Sequence, residues 1–459
     1  MIYDLSHTIA AIATATGESG VGIIRISGTE AYNIGEKIFC SKGKTRFKDF
    51  KDRTIHFGTI VDEGGEEIDE VLVLIMKGPH SYTAENILEI QCHGGRQSIA
   101  SILQLVLRNG ARLAEPGEFT QRAFLNGRID LAQAEAVMDI IQAKSRQGLS
   151  AAVSQLEGKL SKLVRKMRTD LTDFITRLEV TVDYPEEDLE DIVVRDMIGA
   201  LTEMKEKIRI MLAQSVKGRI IRDGVTVAIV GAPNAGKSSL LNYLLSEERA
   251  IVTDIPGTTR DILEEWVSIQ GIPFQLVDTA GIRETIDVVE TIGVTKAREY
   301  LERADIVLVV VDRSKALTKE DKCLLQSVKG RQVALILNKI DLADGIRHEE
   351  LSEFSYPLIL VSAKNGDGME ELEQFLVDRS LQGGMNGYDV LITNTRHIEL
   401  VRQSLAALER AEETIKKGMP LDFAIIDIRE AWDLLGSITG DTIHDDIIGE
   451  IFNRFCLGK

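Results

Sequence analysis

The segment that most restricts the fold lies at residues 231–239, which read GAPNAGKSS. An apolar run at 225–230 precedes it, and residues 240–245 follow with a helix-forming pattern, so the order is strand, glycine-rich loop, helix. In this order the backbone N–H groups of the loop and of the first helical turn point to one place and bind phosphate. Lys237 then reaches the terminal phosphates, and the Ser238 hydroxyl binds Mg²⁺. An ordinary turn before a helix explains neither the lysine nor the hydroxyl.

Length and composition narrow the class of protein. A chain of 459 residues is too long for one compact core, and domains of roughly 150 residues predict about three. No apolar run approaches the ~20 residues of a membrane helix, and the N-terminal residues lack a basic segment followed by a long apolar one. We therefore expect a cytoplasmic protein with no membrane partner. The four cysteines are too scattered for a disulfide framework or a zinc cluster.

The formal net charge of −18 argues against binding nucleic acid through the overall electrostatic field. A local contact is compatible with this charge. One cluster of cations stands out, and its members are Lys42, Lys44, Arg46, Lys48, Lys51 and Arg53. A solvated surface loop is the simpler explanation of such a cluster.

The pattern of apolar residues changes near residue 118. Before it, short runs such as 21–26 and 71–76 predict strands and 98–107 predicts a helix, as in a small α/β domain. After it, the apolar residues are spaced three and four apart, which predicts one long helix. The members of this stripe are Leu149, Val153, Leu156, Leu160, Leu163, Met167, Leu171, Phe174 and Leu178.

Helical patterns lie on both sides of the block that contains the phosphate-binding loop. On the N-terminal side, an acidic stretch with a proline at 183–188 predicts a loop, and about 194–216 predicts an amphipathic helix. On the C-terminal side, helical spacing returns at 398–408. One helical domain interrupted by an insertion explains both sides, and two separate helical domains are the alternative. The sequence thus predicts a multidomain α/β and α protein, with an N-terminal α/β domain at 1–118, an all-helical domain whose parts are 119–216 and 381–459, and an inserted Ras-like P-loop domain at 217–380.

Three further motifs identify the nucleotide. The motif LVDTAG ends a strand with Asp278, which contacts Mg²⁺ through water, and with Gly281, whose N–H meets the γ-phosphate. The motif LILNKID ends in Asp341, which accepts hydrogen bonds from the N1 and N2 donors of guanine. Adenine lacks that pair of donors, so ATP would leave the carboxylate unpaired. Ser-Ala-Lys at 362–364 completes the pocket, and the whole set predicts GTP.

The predicted GTP contacts come from five stretches of the chain. They are Asn234, Ala235, Gly236, Lys237, Ser238 and Ser239; Thr253, Asp254, Ile255, Pro256, Gly257, Thr258 and Thr259; Asp278, Thr279, Ala280 and Gly281; Asn338, Lys339 and Asp341; and Ser362, Ala363 and Lys364. Among these, Ser238 and Thr259 are the predicted Mg²⁺ ligands.

The residue that orients the attacking water in Ras-like GTPases has no counterpart in this sequence. In those enzymes a glutamine directly follows the Asp-x-x-Gly element, whereas this chain has Ile282. Asn234 and the segment 250–261 supply carbonyl and hydroxyl oxygens suited to a monovalent cation. A K⁺ ion beside the phosphates would neutralise developing charge, as an arginine finger does elsewhere. We therefore expect GTP hydrolysis to depend on K⁺.

Taken together, the motifs resemble those of one family, the MnmE (TrmE) tRNA modification GTPases. The similar features are the Asn-containing phosphate loop, the Gly-Thr-Thr-Arg-Asp switch at 257–261, Asp-Thr-Ala-Gly followed by an apolar residue, and the C-terminal Cys-Leu-Gly-Lys at 456–459. N-terminal matches include GVGIIRISG at 20–28, His-Gly-Gly at 93–95 and the segment 130–136. The likeness covers the whole chain.

The resemblance implies several properties. The N-terminal domain would bind a reduced folate, 5-formyl- or 5,10-methylene-tetrahydrofolate, and would mediate homodimerisation. The helical domain would be made from both sides of the inserted GTPase. Proteins of this family work in a heteromeric complex with MnmG, an FAD-containing partner, and the complex installs an aminomethyl-type group on carbon five of the wobble uridine of certain tRNAs.

The resemblance also assigns roles to individual residues. It implies folate contacts by Arg25, Glu89, Arg128 and Lys459, K⁺ contacts by Asn234, Thr253, Ile255 and Thr258, and catalytic roles for Glu290, Cys456 and Asn234. Arg128 stands where family members often carry lysine, which keeps the charge and changes the geometry. Two roles for Cys456 stay open. Beside a folate its thiolate would act as a nucleophile or as an acid–base group, whereas a thiol so near a chain end is usually inert.

A function of a different class also fits the GTPase motifs. A ribosome-assembly GTPase would bind RNA and hydrolyse GTP without modifying the RNA. The features that separate the two functions are Arg25, Glu89 and the C-terminal residues 456–459, because a regulatory switch has no need of them.

Overall fold

The computed structural model describes residues 5–15, 17–183, 190–246, 264–278, 301–346, 350–351, 353–381, 392–443, 445–455 and 458. The chain forms two compact units. Unit 1 comprises residues 1–138, 155–204 and 403–459, and unit 2 comprises 139–154 and 205–402. The domain boundaries at 118, 216 and 380 stay predictions.

Unit 1 contains a seven-stranded sheet. Its strands are β1 (Ile9–Ile12), β2 (Ser19–Ser27), β3 (Phe39–Ser41), β4 (Thr54–Val61), β5 (Glu67–Met76), β6 (Ile87–Gly94) and β7 (Arg112–Leu113). The strand order is β3-β4-β5-β6-β2-β1-β7, and all neighbours are antiparallel except β1 and β7. The strands predicted at 21–26 and 71–76 lie within β2 and β5 and are confirmed.

Two helices, α1 (Ala31–Ile38) and α2 (Arg96–Arg108), pack on one face of this sheet. Ile34 of α1 and Ile102 of α2 share one buried core with Ile90 of β6. Because side chains alternate across a strand, each strand contributes every second residue to this core. The helix predicted for this region is confirmed as α2.

The remaining helices begin with α3 (Glu118–Leu125), α4 (Leu131–Gln142), α5 (Arg146–Leu156), α6 (Lys159–Asp183), α7 (Glu190–Asp223) and α8 (Lys237–Leu244). They continue with α9 (Lys319–Ser327), α10 (Met369–Leu381), α11 (Thr395–Lys416), α12 (Leu421–Thr439) and α13 (Asp445–Phe452). Within the described ranges, none of these helices has both the length and the apolar character needed to cross a membrane.

The single long helix predicted from the apolar stripe at 149–178 is wrong. The chain forms α5 and α6 instead, and the break falls at Gly158, whose φ of +78° is left-handed. A residue in that conformation ends a helix. Leu160 and Leu171 on the far side of the break are still buried. Leu149 and Val153 before the break are exposed. The spacing of apolar residues therefore predicted helical structure on both sides, and it did not show that one helix is continuous or that every member is buried.

Helices from before and after the nucleotide-binding block pack together in unit 1. The indole Nε1 of Trp432 in α12 donates a 3.0 Å hydrogen bond to the hydroxyl of Thr172 in α6. The Arg168 guanidinium of α6 lies 3.8 Å from the centroid of the Trp432 ring and forms an ion pair with Asp441. The two helical parts of the chain thus share one packing surface.

Unit 2 contains a six-stranded sheet. Its strands are β8 (Val225–Val230), β9 (Glu264–Ile269), β10 (Ile272–Asp278), β11 (Ile306–Asp312), β12 (Val333–Asn338) and β13 (Leu358–Val361). The order is β13-β12-β11-β8-β10-β9, and every neighbouring pair is parallel except β9 and β10. Almost all residues of β8, β11 and β12 are buried, as expected for strands covered on both faces. The predicted fold class, α/β and helical domains with a P-loop domain, is confirmed.

A fully buried arginine holds together α3, the segment before β1 and the loop that leads into β6. Arg122 has no exposed side-chain surface. Its guanidinium donates to Glu118 at 3.0 Å, to Glu85 at 3.1 Å and to the carbonyl of His7 at 2.8 Å. Glu85 and Glu118 thus share this buried cation, and Glu118 also pairs with the partly exposed Arg112. A buried charge without a partner is costly.

Replacing Arg122 with Met should lower the free energy of unfolding of unit 1 by about 3–5 kcal/mol, because Glu85 loses its buried cation and Glu118 keeps only the partly exposed Arg112. The measurement is urea unfolding followed by Trp432 fluorescence in a Trp266→Phe background, since the chain has two tryptophans. Arg165→Met is the matched control. Arg165 pairs with Asp130 at 2.9 Å but is 55% exposed, so its loss should cost about 1 kcal/mol or less. Equal losses in the two variants would contradict the role given to Arg122.

Candidate functional site

The predicted phosphate-binding loop lies between β8 and α8, as the sequence order requires. Lys237 begins α8 and is 7% exposed. Its ammonium donates hydrogen bonds to the carbonyls of Gly231 at 3.0 Å and Ala232 at 2.9 Å. Phosphate oxygens are charged and accept more strongly than neutral carbonyls. The Lys237 ammonium therefore already lies within the loop, where a nucleotide phosphate would be a stronger acceptor than these carbonyls.

Two glycines of the loop are required by close packing. A Cβ on Gly236, whose φ is +97°, would lie 2.1 Å from the side-chain nitrogen of Asn338. A Cβ on Gly231 would lie 2.2 Å from the carbonyl oxygen of Val310. Between them, Asn234 adopts a left-handed φ of 63°, which asparagine tolerates better than most residues. Close packing against Val310 and Asn338 therefore requires glycine at positions 231 and 236.

The buried amide of Asn338 connects the phosphate loop to the rest of the site. Its Nδ2 donates to the carbonyl of Ala235 at 2.9 Å. Its Oδ1 accepts from the backbone N–H groups of Lys339 at 2.8 Å and Ala363 at 3.1 Å. The side chain is 2% exposed, so each of these bonds satisfies a polar atom that water does not reach. Asn338 thus supports the pocket from beneath.

Lys339 ties the phosphate loop to the end of β11. Its ammonium donates to the carbonyl of Asn234 at 2.9 Å and to Asp312 at 2.6 Å. Burial opposes the ionisation of Asp312, but hydrogen bonds from Lys339 and Ser314 outweigh it and hold the pKa of Asp312 below its ordinary value. Sequence reasoning missed Asp312. Its signal was an aspartate at the carboxyl end of an apolar run, on the sheet edge that binds ligands.

The predicted guanine pocket comes together around Asp341. Ser362 is fully buried and donates to Asp341 Oδ1 at 2.7 Å, which orients the carboxylate. Asp341 itself is exposed, and so is Lys364. A carboxylate accepts hydrogen bonds and donates none, so the side chain suits the two adjacent donors of guanine.

Of the remaining residues predicted to bind the nucleotide, some lie in the described ranges and others do not. Ser238 and Ser239 are exposed in the first turn of α8. Asp278 ends β10, in register with Ile229 of β8. Several predicted residues lie outside the described part of the chain, namely Thr253, Asp254, Ile255, Pro256, Gly257, Thr258, Thr259, Thr279, Ala280, Gly281, Glu290, Cys456 and Lys459.

A second candidate site lies on the sheet of unit 1. Arg25 of β2 and Glu89 of β6 are cross-strand partners, and Arg25 Nε lies 2.7 Å from Glu89 Oε1. The guanidinium carbons of Arg25 and Arg128 lie 5.5 Å and 4.7 Å from the centroid of the Tyr82 ring. The structure thus brings together three of the residues that the sequence resemblance assigned to one pocket. It adds Tyr82, which no motif in the sequence had singled out.

One residue near the C-terminus, Gly458, lies against the same sheet. A Cβ on Gly458, whose φ is +89°, would lie 2.1 Å from the carbonyl oxygen of Ile12 at the end of β1. The preceding residue of β1, Ala11, pairs with Arg25. Gly458 therefore packs on the strand next to the one that carries Arg25.

Comparisons with known proteins match nearly the whole chain. The family described as "GTP-binding protein TrmE N-terminus" matches residues 8–128, and the family described as "MnmE helical domain" matches residues 131–456. The tRNA modification GTPase MnmE of Alkaliphilus metalliredigens is 47% identical over 99% of this chain and 100% of its own length. The protein of the same name from Geobacillus kaustophilus is 46% identical over 98% of this chain and 99% of its own length.

Among solved structures, the G domain of the FeoB iron transporter of T. maritima is similar at 29% identity. It covers 34% of this chain and 98% of its own chain, with a TM-score of 0.26. The assignment to a family accordingly rests on the full-length relatives and the two family matches. The chain belongs to the MnmE family of tRNA modification GTPases.

Proposed function

We propose that this GTPase drives tRNA modification through K⁺-dependent GTP hydrolysis. It acts in the cytoplasm as a homodimer in a complex with an FAD-containing protein of the MnmG type. The complex places an aminomethyl-type group on carbon five of the wobble uridine of certain tRNAs, with a reduced folate as the one-carbon donor. The observation that carries this proposal is the Arg25–Glu89 pair beside Tyr82 and Arg128, because a ribosome-assembly switch needs no second ligand site.

The nucleotide would be held by groups of unit 2. Lys237 and the N–H groups of the first turn of α8 would bind the phosphates, and Ser238 with Thr259 would hold Mg²⁺. Bound Mg²⁺ neutralises charge on the phosphates. Asp341, oriented by Ser362, would accept from guanine. Each of these residues binds or orients, and none needs to form a covalent bond.

Hydrolysis needs two further contributions, since Ile282 offers no polar group to a water molecule. We assign the K⁺ contacts to Asn234, Thr253, Ile255 and Thr258 and the positioning of water to Glu290. Support for Asn234 comes from its backbone, which Lys339 holds through the Asn234 carbonyl. The Asn234 side chain is exposed, and its amide oxygen would be available to a K⁺ ion.

The folate would be held by groups of unit 1. Glu89 is 8% exposed and is oriented by Arg25, so it is suited to accept from the amino and ring N–H donors of a pterin. The Tyr82 ring offers a flat surface for stacking. Arg128, with Lys459, would bind the anionic glutamate tail. Cys456 would lie two residues before Gly458, and we propose that its thiol takes part in the chemistry.

Asp341→Asn should change the nucleotide specificity from guanosine to xanthosine triphosphate. The carboxamide offers an N–H donor that opposes the guanine amino group and matches the extra carbonyl of xanthine. GTP should bind about 10²- to 10⁴-fold more weakly, since two hydrogen bonds to a charged group are lost. The measurement is nucleotide affinity by fluorescence titration. Asp344→Asn is the matched control, because Asp344 pairs with Arg313 at 2.8 Å instead of lining the pocket. Unchanged preference for GTP in Asp341→Asn would refute the pocket.

GTP hydrolysis should be faster in K⁺ than in Na⁺ at equal ionic strength. We expect a difference of about tenfold or more, equivalent to ~1.4 kcal/mol of transition-state stabilisation. Asn234→Gly should abolish the difference while it preserves the backbone, because glycine accepts the φ of 63° without strain. The measurement is phosphate release at saturating GTP. Equal rates in both salts for the unaltered chain would be incompatible with a cation-assisted mechanism.

Glu89→Gln should weaken the binding of 5-formyl-tetrahydrofolate by about 10- to 100-fold, because a charged acceptor is replaced by a neutral one. The measurement is titration calorimetry on the full chain, with GTP hydrolysis recorded in parallel and expected to be unchanged. Glu66→Gln, at an exposed position on the same domain, is the control. If the unaltered chain binds no reduced folate, the folate part of the proposal fails and the ribosome-assembly alternative gains support.

A further inference from the structure

The basic segment at residues 42–53 forms one exposed surface of unit 1, which we call the cationic loop. Its six cations, Lys42, Lys44, Arg46, Lys48, Lys51 and Arg53, are all exposed. Only two acidic residues, Asp49 and Asp52, lie within the same segment. The segment therefore carries a local positive charge in a chain whose net charge is −18.

Most of these cations have no carboxylate partner in the described part of the chain. Lys42 pairs with Glu70, and Arg53 lies 3.9 Å from Asp52. The other four, Lys44, Arg46, Lys48 and Lys51, form no ion pair with any described residue. Their charge is thus not neutralised internally and is available to an anionic partner.

An aromatic cluster fixes the backbone of the cationic loop. Phe47 and Phe50 point inward, and their ring centroids lie 5.2 Å apart. Each also lies 6.2 Å from Phe39 at the start of β3, and Phe50 stacks on His56 at 3.4 Å. Phe50 is 3% exposed. The loop is anchored into the core, so little backbone conformational entropy is lost when a partner binds its outer side.

We propose that the cationic loop binds the sugar–phosphate backbone of the tRNA substrate, an inference that rests on the proposed function. The net negative charge of the chain repels RNA, so RNA binding requires a local surface of clustered cations. An exposed aromatic ring, Phe57, adjoins the loop, with Lys42 Nζ 5.4 Å from the ring centroid. Cations beside an exposed aromatic ring suit RNA, whose bases stack on such rings. An acidic protein surface would match the cations, but it supplies no nucleobase to stack on the exposed ring.

The test compares two triple variants of the full-length chain with equal net charge. The first, Lys44→Gln/Arg46→Gln/Lys48→Gln, neutralises the cationic loop. The second, Lys159→Gln/Lys162→Gln/Lys166→Gln, neutralises three exposed lysines of α6. Binding of unmodified tRNA is measured by fluorescence anisotropy between 50 and 200 mM KCl, the range over which phosphate contacts weaken strongly. GTP hydrolysis and folate binding are measured on the same samples and should be unchanged.

For the loop variant we expect at least about tenfold weaker tRNA binding and a salt slope reduced by about 2 to 3. The α6 variant should bind tRNA nearly as well as the unaltered chain. Equal weakening in both variants would show an effect of net charge alone and overturn the inference. A loop variant that binds tRNA normally would also overturn the inference, and it would leave the proposed function intact. If the loop variant keeps tRNA binding and loses binding to the FAD-containing partner, the loop is a protein contact. That result would also overturn the inference.

Discussion

The side-chain amide of Asn338 is the contact on which the GTP site depends. It bonds to Ala235 in the phosphate loop and to Ala363 in the loop beneath the base pocket, which lie far apart in the sequence. Each bond is worth only about 0.5–1.5 kcal/mol, but a buried partner left unsatisfied costs more. Because the amide occupies the space where a Cβ of residue 236 would lie, that position must be glycine. The phosphate loop and the predicted base pocket are therefore held in one fixed geometry.

Sequence alone predicted those parts of the molecule that depend on local chemistry. The phosphate loop follows from residue types at fixed spacings, and it lies between β8 and α8 as expected. Asp341 was also found from its motif and lies beside Ser362, and its role in guanine recognition stays a prediction. The continuous helix at 149–178 failed because apolar spacing survives a break at Gly158. Asp312 was missed because its contact with Lys339 forms only when β11 and β12 lie side by side. Tyr82 was missed because its contacts with Arg25 and Arg128 join residues that are far apart in the sequence.

The two candidate sites have different physical designs. In unit 2, backbone groups and buried polar side chains at the ends of parallel strands create a site for a highly charged nucleotide. In unit 1, the paired Arg25 and Glu89 on a sheet surface, with the ring of Tyr82 beside them, suit a flat ligand with donors and acceptors along its edge. Under the proposed function, GTP hydrolysis in unit 2 would be combined with one-carbon chemistry at the separate site of unit 1.

The most direct test of this dual role is mass spectrometry of tRNA nucleosides from cells that lack the chain, compared with cells that carry it. We predict that uridine without the aminomethyl-type group accumulates at the wobble position when the chain is absent. The modification should return when the unaltered chain is supplied. Complete wobble-uridine modification in cells without the chain or any relative of it would contradict a role in tRNA modification.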